Sequence, residues 1–323
     1  MDPAEVERAA RRLAAGDVVA FATETVYGLG ADATNPAALA KIFALKGRPA
    51  DHPLIVHIAD ASGLDRYARD VPETARRLAQ AFWPGPLTMI VKRADAVPAA
   101  ATGGQDSVGL RCPSHPLAQA LLRAFAKVGS GAIAAPSANK FGHVSPTTAQ
   151  HVRDEFGPGL LILDGGPCEV GLESTIVDLS RGAPVMLRPG AIGRDDIERV
   201  LGRRPGERDA SAPRASGTLA SHYAPRTPLV LMEARRFADE LRIGDAVLAL
   251  RPPPAHRAAT AWIEAPRDPV RYGHDLYFNL RELDGHGATR ILVEAPPRDA
   301  AWEAVNDRLG RAAAGAAEED DAP

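Results

Sequence analysis

The residues with the most chemistry to explain lie at 41–58, KIFALKGRPADHPLIVHI, where Lys46, Arg48, Asp51 and His52 separate a helical pattern from an apolar run. Asn35-Pro36 can start that helix and Gly47 can end it, since proline suits the first helical turn and glycine the C-terminal cap. Residues 53–58 then read as a short strand. Two cations at such a junction can neutralise a bound anion; they can equally be a solvated helix end whose charges complement the helix dipole. Four other places offer matching groups. Thr23 and Thr25 follow the apolar run 18–21 and precede Gly28 and Gly30, which let backbone approach a ligand. Arg111 closes an apolar segment at 107–113, where burial demands an anionic partner, either an internal carboxylate or a ligand. Ser137 and Asn139 follow the run 131–135, at the strand end where open α/β sheets place ligands, although an Asx- or Ser-type turn explains them as well. Ser174 and Thr175 open one further strand, and Arg188 ends another. His57, inside its apolar run, reads by itself as a core histidine.

These residues need an α/β frame to position them. Helical and strand patterns alternate along all 323 residues. Helices are expected at 5–15, 71–82, 115–126, 148–156 and 192–201, with Ser145-Pro-Thr-Thr148 capping the fourth. Trp83-Pro84-Gly85-Pro86 must break the second of them. Glycines at 28, 30 and 33's alanine suggest a dinucleotide fingerprint, but that motif needs its glycines to open the helix directly, and the helix here waits for Asn35. A tight turn at 28–30 is the better reading. Residues 202–228 are rich in Gly, Pro, Ser and Arg, as linkers are, yet contain Tyr223, which suits a lid over a site. Strand and helix patterns resume from 229, and the acidic residues 316–323 have the composition of a disordered tail.

Composition narrows the class. With 38 basic and 41 acidic residues the net charge is −3, which gives no footprint for nucleic acid at the level of the whole chain. Cys112 and Cys168 are too few for a disulfide framework and lack CxxC spacing, so a reducing compartment and no bound structural metal are expected. The N-terminus lacks an apolar signal region and no run approaches membrane length, so a soluble, cytoplasmic protein is expected. A nucleophile elbow and a GxxxxGK[ST] loop are both missing. If the strand ends converge, the site gathers cations, hydroxyls and glycine backbone. Such a site suits an anionic, phosphorylated ligand, with catalysis by positioning and charge neutralisation.

At this point a resemblance is evident. Thr23-Glu-Thr-Val-Tyr-Gly-Leu-Gly30, Lys46-Gly-Arg-Pro49, Pro53-Leu-Ile-Val-His57, Trp83-Pro-Gly-Pro-Leu-Thr88, Ser137-Ala-Asn139 and Gly171-Leu-Glu-Ser-Thr-Ile-Val-Asp178 resemble, in order, the motifs of the YrdC-like threonylcarbamoyl-AMP synthases, in their long form with an extra C-terminal domain. The resemblance implies a YrdC-type twisted mixed sheet with flanking helices over residues 1–202, a linker or lid at 203–228, a small Rossmann-like α/β domain at 229–315 and the tail at 316–323. It implies a nucleotidyltransferase that makes L-threonylcarbamoyl-AMP from L-threonine, bicarbonate or CO2 and ATP, with Mg²⁺ accompanying the triphosphate, to begin threonylcarbamoyladenosine formation on tRNA. By the same resemblance Thr25, His57, Arg111, the backbone at Ala135 and Ser174 would hold threonine. Lys46, Arg48, His52, Ser107, Ser137, Asn139, Ser145, Arg188 and Tyr223 would hold ATP, with Lys46 and Arg48 catalytic. Downstream tRNA threonylcarbamoyl-transferase proteins would consume the product, with neither a membrane nor stable direct tRNA binding involved. This sequence departs from the pattern at His52, where asparagine is expected, and at Ala22, where proline is usual. A different reading is an RNA-binding YrdC-like module without adenylating activity.

Overall fold

The computed structural model describes residues 2–219, 222–255 and 259–320. They form two compact units. One runs to Phe141 and includes Pro146–Glu169 and Glu173–Thr218; the other comprises Gly142–Ser145, Val170–Leu172 and the chain from Leu219 onward.

The first unit contains, in order, α1 (Pro3–Ala14), β1 (Val19–Phe21), β2 (Gly28–Asp32), α2 (Pro36–Lys46), β3 (Ile55–His57), α3 (Gly63–Tyr67), α4 (Glu73–Phe82), β4 (Leu87–Lys92), β5 (Ser107–Arg111), α5 (Pro116–Ala126), β6 (Ile133–Ala134), α6 (Ala149–Phe156), β7 (Leu161–Leu163), β8 (Thr175–Asp178), β9 (Val185–Arg188) and α7 (Arg194–Leu201). Its strands make one mixed sheet in the order β7-β1-β2-β6-β3-β5-β4-β8-β9. The second unit holds β10 (Leu229–Met232), α8 (Phe237–Glu240), β11 (Ala246–Ala249), β12 (Ala261–Glu264), α9 (Pro269–Asp284), β13 (Ile291–Glu294) and α10 (Glu303–Asp320). Its four strands are parallel, in the order β10-β13-β11-β12. The α/β class and mixed sheet agree with the sequence reading. Helical backbone reaches Asp320, inside the segment whose composition suggested disorder, and 321–323 lie outside the described residues. Among the described residues no helix is long and apolar enough to cross a membrane.

Helix α2 forms where its caps dictate. The Asn35 side chain accepts from the N–H groups of Ala37 and Ala38, Pro36 occupies the first turn, and Gly47 ends the helix in the left-handed region at φ +63°. Its buried side includes Ala38, Leu39, Ile42 and Phe43.

The segment 28–32 differs from the expected tight turn. It is a full strand, β2, antiparallel to both β1 and β6. Glycine is there for contact rather than for turning: a Cβ on Gly30 would lie 2.6 Å from the Ile133 side chain and 2.8 Å from the Phe21 ring. Small residues without β-branching hide a strand from propensity.

Pairing registers set a polar row across the sheet. His57 pairs with Arg111, Arg111 with Thr88, Thr88 with Ile176 and Ile176 with Arg188. Residues directly opposite one another share a face. The alternate residues Val56, Leu110, Met89 and Val177 point the other way, into the main core. On the polar row's own face Ile55, Ile90, Ile176 and Leu187 form a separate apolar cluster, which Ala215 covers. The chain after α7 is therefore no structureless linker: Gly206 bonds to Met186 and Pro184 along β9 before Ala215 reaches this face.

The loop below residues 51–54 is equally tight. Leu54 N–H donates to Ala101 O at 2.8 Å, and Gly103, at φ +59°, passes so close that a Cβ would stand 2.0 Å from the Asp51 carbonyl oxygen. Two outcomes are expected in urea unfolding. Asn35→Ala costs about 1 kcal/mol, roughly 2–4 °C in Tm, by uncapping α2. Gly103→Ala costs more, because left-handed strain of about 1–2 kcal/mol adds to the clash; a loss no larger than that of Asn35→Ala would refute the close approach.

Candidate active site

Helix α2 delivers Lys46 in its last turn, 3 % exposed. Its ammonium donates to the Ser137 carbonyl at 2.6 Å and to that of Asn139. Those carbonyls are aimed by a loop that is itself fixed: Ala138 N–H donates to Tyr27 O, and Leu29 N–H to Pro136 O, each at 2.8 Å. The glycine-bearing strand β2 thus holds the Ser137–Asn139 segment, while the Asn139 amide donates to Lys140 O. Burial drives the Lys46 pKa well below its ordinary value, and the nearby charge of Arg48 pushes the same way.

Arg48 and Arg188 are both buried. Arg48 Nη2 donates to Pro53 O at 2.9 Å and to Ser216 Oγ at 3.2 Å, with its guanidinium 5.8 Å from the Phe141 ring centre. Arg188 donates to Ser174 through Nε (carbonyl, 3.0 Å) and Nη2 (hydroxyl, 3.2 Å), and to Ser216 O through Nη1 at 3.0 Å. Ser216 therefore ties the two guanidiniums together. Sequence reasoning missed it, because nothing in the linker's composition showed that its small residues lie on the sheet. His52 packs edge-on to Phe141 at 5.2 Å, and partial burial followed by the charge of Arg48 lowers its pKa. Ser107 opens β5 beside Lys92. Ser145 and Tyr223 belong to the second unit. There Arg281 donates to the carbonyls of Val144 and Ser145, and Tyr223, at φ +64°, stacks on Tyr277 with the Arg308 guanidinium over its ring.

A second cluster occupies the middle of the polar row. Arg111 and His57 are neighbours on β5 and β3, 4 % and 3 % exposed. The partner of Arg111 is Glu24, with Nη2 2.7 Å from Oε1. This acid stands in the Thr-Glu-Thr stretch, in plain sight, yet the sequence does not say which carboxylate pairs with an arginine so far along the chain. Burial drops the His57 pKa to about 3, aided by the charge of Arg111, so the imidazole is neutral. Thr23 and Thr25 hydroxyls lie 3.0 Å apart, and Thr23 donates to Val26 O. Ser174 shares its hydroxyl with Thr88 at 2.7 Å, which links the row to Arg188. The N–H of Ala135 donates to Ile55 O at 2.9 Å, which fixes its backbone against β3.

The first unit thus brings together Lys46, Ser137 and Asn139; Arg48, Arg188 and Ser174; and His57 with Arg111. Such cations suit a polyanion, and the Arg111 fork suits a carboxylate. The donor set does not suit a protein-held Mg²⁺, which wants oxygen anions. Among the described residues no group of three or more His, Cys, Asp or Glu side chains could hold a metal.

Comparison with known proteins identifies the family. Residues 11–190 match the Sua5/YciO/YrdC family, described as "Telomere recombination", and residues 192–314 match the C-terminal domain of threonylcarbamoyl-AMP synthase. The threonylcarbamoyl-AMP synthase of Pyrococcus abyssi is 38 % identical over 92 % of this chain and 90 % of its own length. That of Bacillus subtilis is 39 % identical over 97 % and 94 %. A crystal structure of P. abyssi Sua5 complexed with L-threonine superposes with a TM-score of 0.86 at 35 % identity, covering 98 % of this chain and 96 % of that one. Escherichia coli YciO matches 59 % of the chain with a TM-score of 0.51. From its sheet to its second unit, the chain belongs to the threonylcarbamoyl-AMP synthase family.

Proposed function

We propose that this chain makes L-threonylcarbamoyl-AMP and pyrophosphate from L-threonine, bicarbonate or CO2 and ATP, the first step of threonylcarbamoyladenosine formation on tRNA. The observation that carries the proposal is one sheet face that holds buried Arg188 and, on other strands, buried Arg111 and His57, with the buried cation Arg48 tied to Arg188 through Ser216. In this reading the threonine amine takes up CO2, and a carbamate oxygen attacks the α-phosphorus in line while pyrophosphate leaves.

Lys46, Arg48 and Arg188 offset the charge that moves onto the leaving pyrophosphate, a task for fixed cations in a dry site. Ser137, Asn139, Ser107 and His52 complete the nucleotide's surroundings. Arg111 takes the threonine carboxylate, with Thr25, Ser174, neutral His57 and the Ala135 carbonyl around the rest. Mg²⁺ enters only on ATP. The product is a mixed carbamic–phosphoric anhydride, so a transferase acting on tRNA must consume it. The burial of Lys46, Arg48 and Arg188 and a net charge of −3 count against an RNA backbone as the ligand, so the RNA-binding module is not favoured.

Incubation with ATP, bicarbonate and L-threonine should release pyrophosphate in a threonine-dependent manner; release that ignores threonine would sink the proposal. Lys46→Ala should cut that rate by at least about 100-fold while keeping cooperative melting. Lys46 makes a further expectation possible. Burial and the charge of Arg48 depress its pKa, and a bound polyanion must raise that pKa and so favour proton uptake. Calorimetry of pyrophosphate binding in two buffers of different ionisation enthalpy should therefore show proton uptake that Lys46→Ala abolishes; identical heats in both buffers would contradict it.

A further inference from the structure

Glu24 is 2 % exposed, and among the described residues neither of its carboxylate oxygens receives a well-aligned hydrogen bond. Arg111 Nε and Nη2 also lack hydrogen bonds, although Nη2 stands 2.7 Å from Glu24 Oε1 as an ion pair. His57, a third residue close enough to feel both charges, has its Nδ1 unbonded as well. Buried polar groups are nearly always bonded, and three orphans together call for a cause. The pair is not there for stability, since buried ion pairs seldom outweigh their desolvation.

The other ionisable neighbours are silent. His57 is neutral, and burial raises the Cys168 thiol to about 12, with Glu24 adding to the shift. Glu24 and Arg111 therefore stand as one negative and one positive charge side by side. An α-amino acid carries the complementary pair, carboxylate and ammonium, two bonds apart. Inserted here, it sets its carboxylate on the Arg111 fork and its nitrogen on the unbonded oxygens of Glu24.

We propose that Glu24 binds the α-ammonium of L-threonine and takes from it the proton that the nitrogen must lose before it can attack CO2. This assignment rests on the function proposed above. Burial works to raise the Glu24 pKa, but the charge and close contact of Arg111, together with the nearby though poorly aligned N–H groups of Glu24 and Ser114, outweigh it and hold the carboxylate low. Once the substrate carboxylate shares Arg111, that hold weakens while the burial remains, and the proton affinity of Glu24 climbs. An N–H proton then passes from ammonium to Glu24, leaving a neutral amine and a neutral acid. The nitrogen lone pair forms the N–C bond as one C–O π pair of CO2 moves onto oxygen. The second surplus proton goes to water, leaving the carbamate anion, and Glu24 returns its own proton to solvent after product release. Carbamate formation would otherwise place an anion beside an anion; a protonated Glu24 removes that repulsion.

The test reads amine recognition apart from adenylation. Binding of L-threonine and of 2,3-dihydroxybutanoate, its hydroxy-acid counterpart without the amine, is measured by calorimetry in the absence of ATP. The unaltered chain should prefer threonine by at least about tenfold, as expected for a charge-assisted bond; equal affinities overturn the proposal whether or not any variant folds. Glu24→Gln should abolish the preference, leave ATP affinity unchanged and slow threonine-dependent pyrophosphate release at least about 30-fold at neutral pH. The lost rate should then return about tenfold per pH unit toward the amine pKa, as free amine becomes abundant. If Glu24→Gln weakens both acids equally, or keeps the unaltered pH profile, Glu24 merely holds Arg111 and the proposal falls. A chain that shows the amine preference but releases no pyrophosphate would instead defeat the proposed function.

Discussion

A buried ammonium held by two carbonyls is the constraint on which the rest of this architecture depends. The Lys46 ammonium bonds carbonyl dipoles, while burial and the charge of Arg48 hold its pKa down against the charge of Glu155, so a polyanion would add stabilising countercharge. Everything around Lys46 serves to hold that unfavourable arrangement open. The Asn35 cap and the left-handed Gly47 fix where α2 ends. Strand β2, paired on both sides, supports the loop whose carbonyls face the ammonium. A lysine on a looser loop would swing to water and surrender its field.

The second requirement is register. His57, Arg111, Thr88 and Arg188 reach one face only because β3, β5, β4, β8 and β9 pair as they do. A slip of one residue would send the polar row into the main core and the aliphatic residues Val56, Leu110 and Met89 outward. The apolar cost of that exchange specifies the active site as firmly as it specifies the fold. Ala215 and Ser216 use the same face: one covers the isoleucines of the smaller cluster, the other bonds the two arginines.

What could be seen in the sequence follows from the range of the interactions involved. Local signals were legible. The caps of α2, the break at Trp83–Pro86 and the α/β alternation each depend on neighbouring residues. The family motifs named Lys46, Arg48, Ser137 and Asn139, the apolar strand ends pointed to Arg111 and Arg188, and the first unit brings these into a few tight groups. Nonlocal facts were not legible. Gly28–Asp32 read as a turn because glycine's role there is to admit Phe21 and Ile133, residues of other strands. Glu24 stood beside two singled-out threonines and went unassigned, since an ion pair leaves no periodicity. Ser216 was hidden in a composition typical of linkers.

The site therefore divides into two electrostatic halves with different logic. Around Lys46, Arg48 and Arg188 the protein gathers buried positive charge, which suits a polyanion. At Glu24 and Arg111 the charges already cancel, and a neutral or singly charged ligand would gain nothing from net field. Only a molecule with both signs at short separation improves on the pair, by bonding atoms the protein leaves unbonded. Substrate selection then follows from orphaned hydrogen-bond capacity rather than from pocket charge. That is the stronger discriminator, because a ligand lacking either group leaves a buried partner unsatisfied. The arrangement also sets the chemistry's order: the amine must lose its charge beside Glu24 before the carbamate it becomes can turn toward the phosphates.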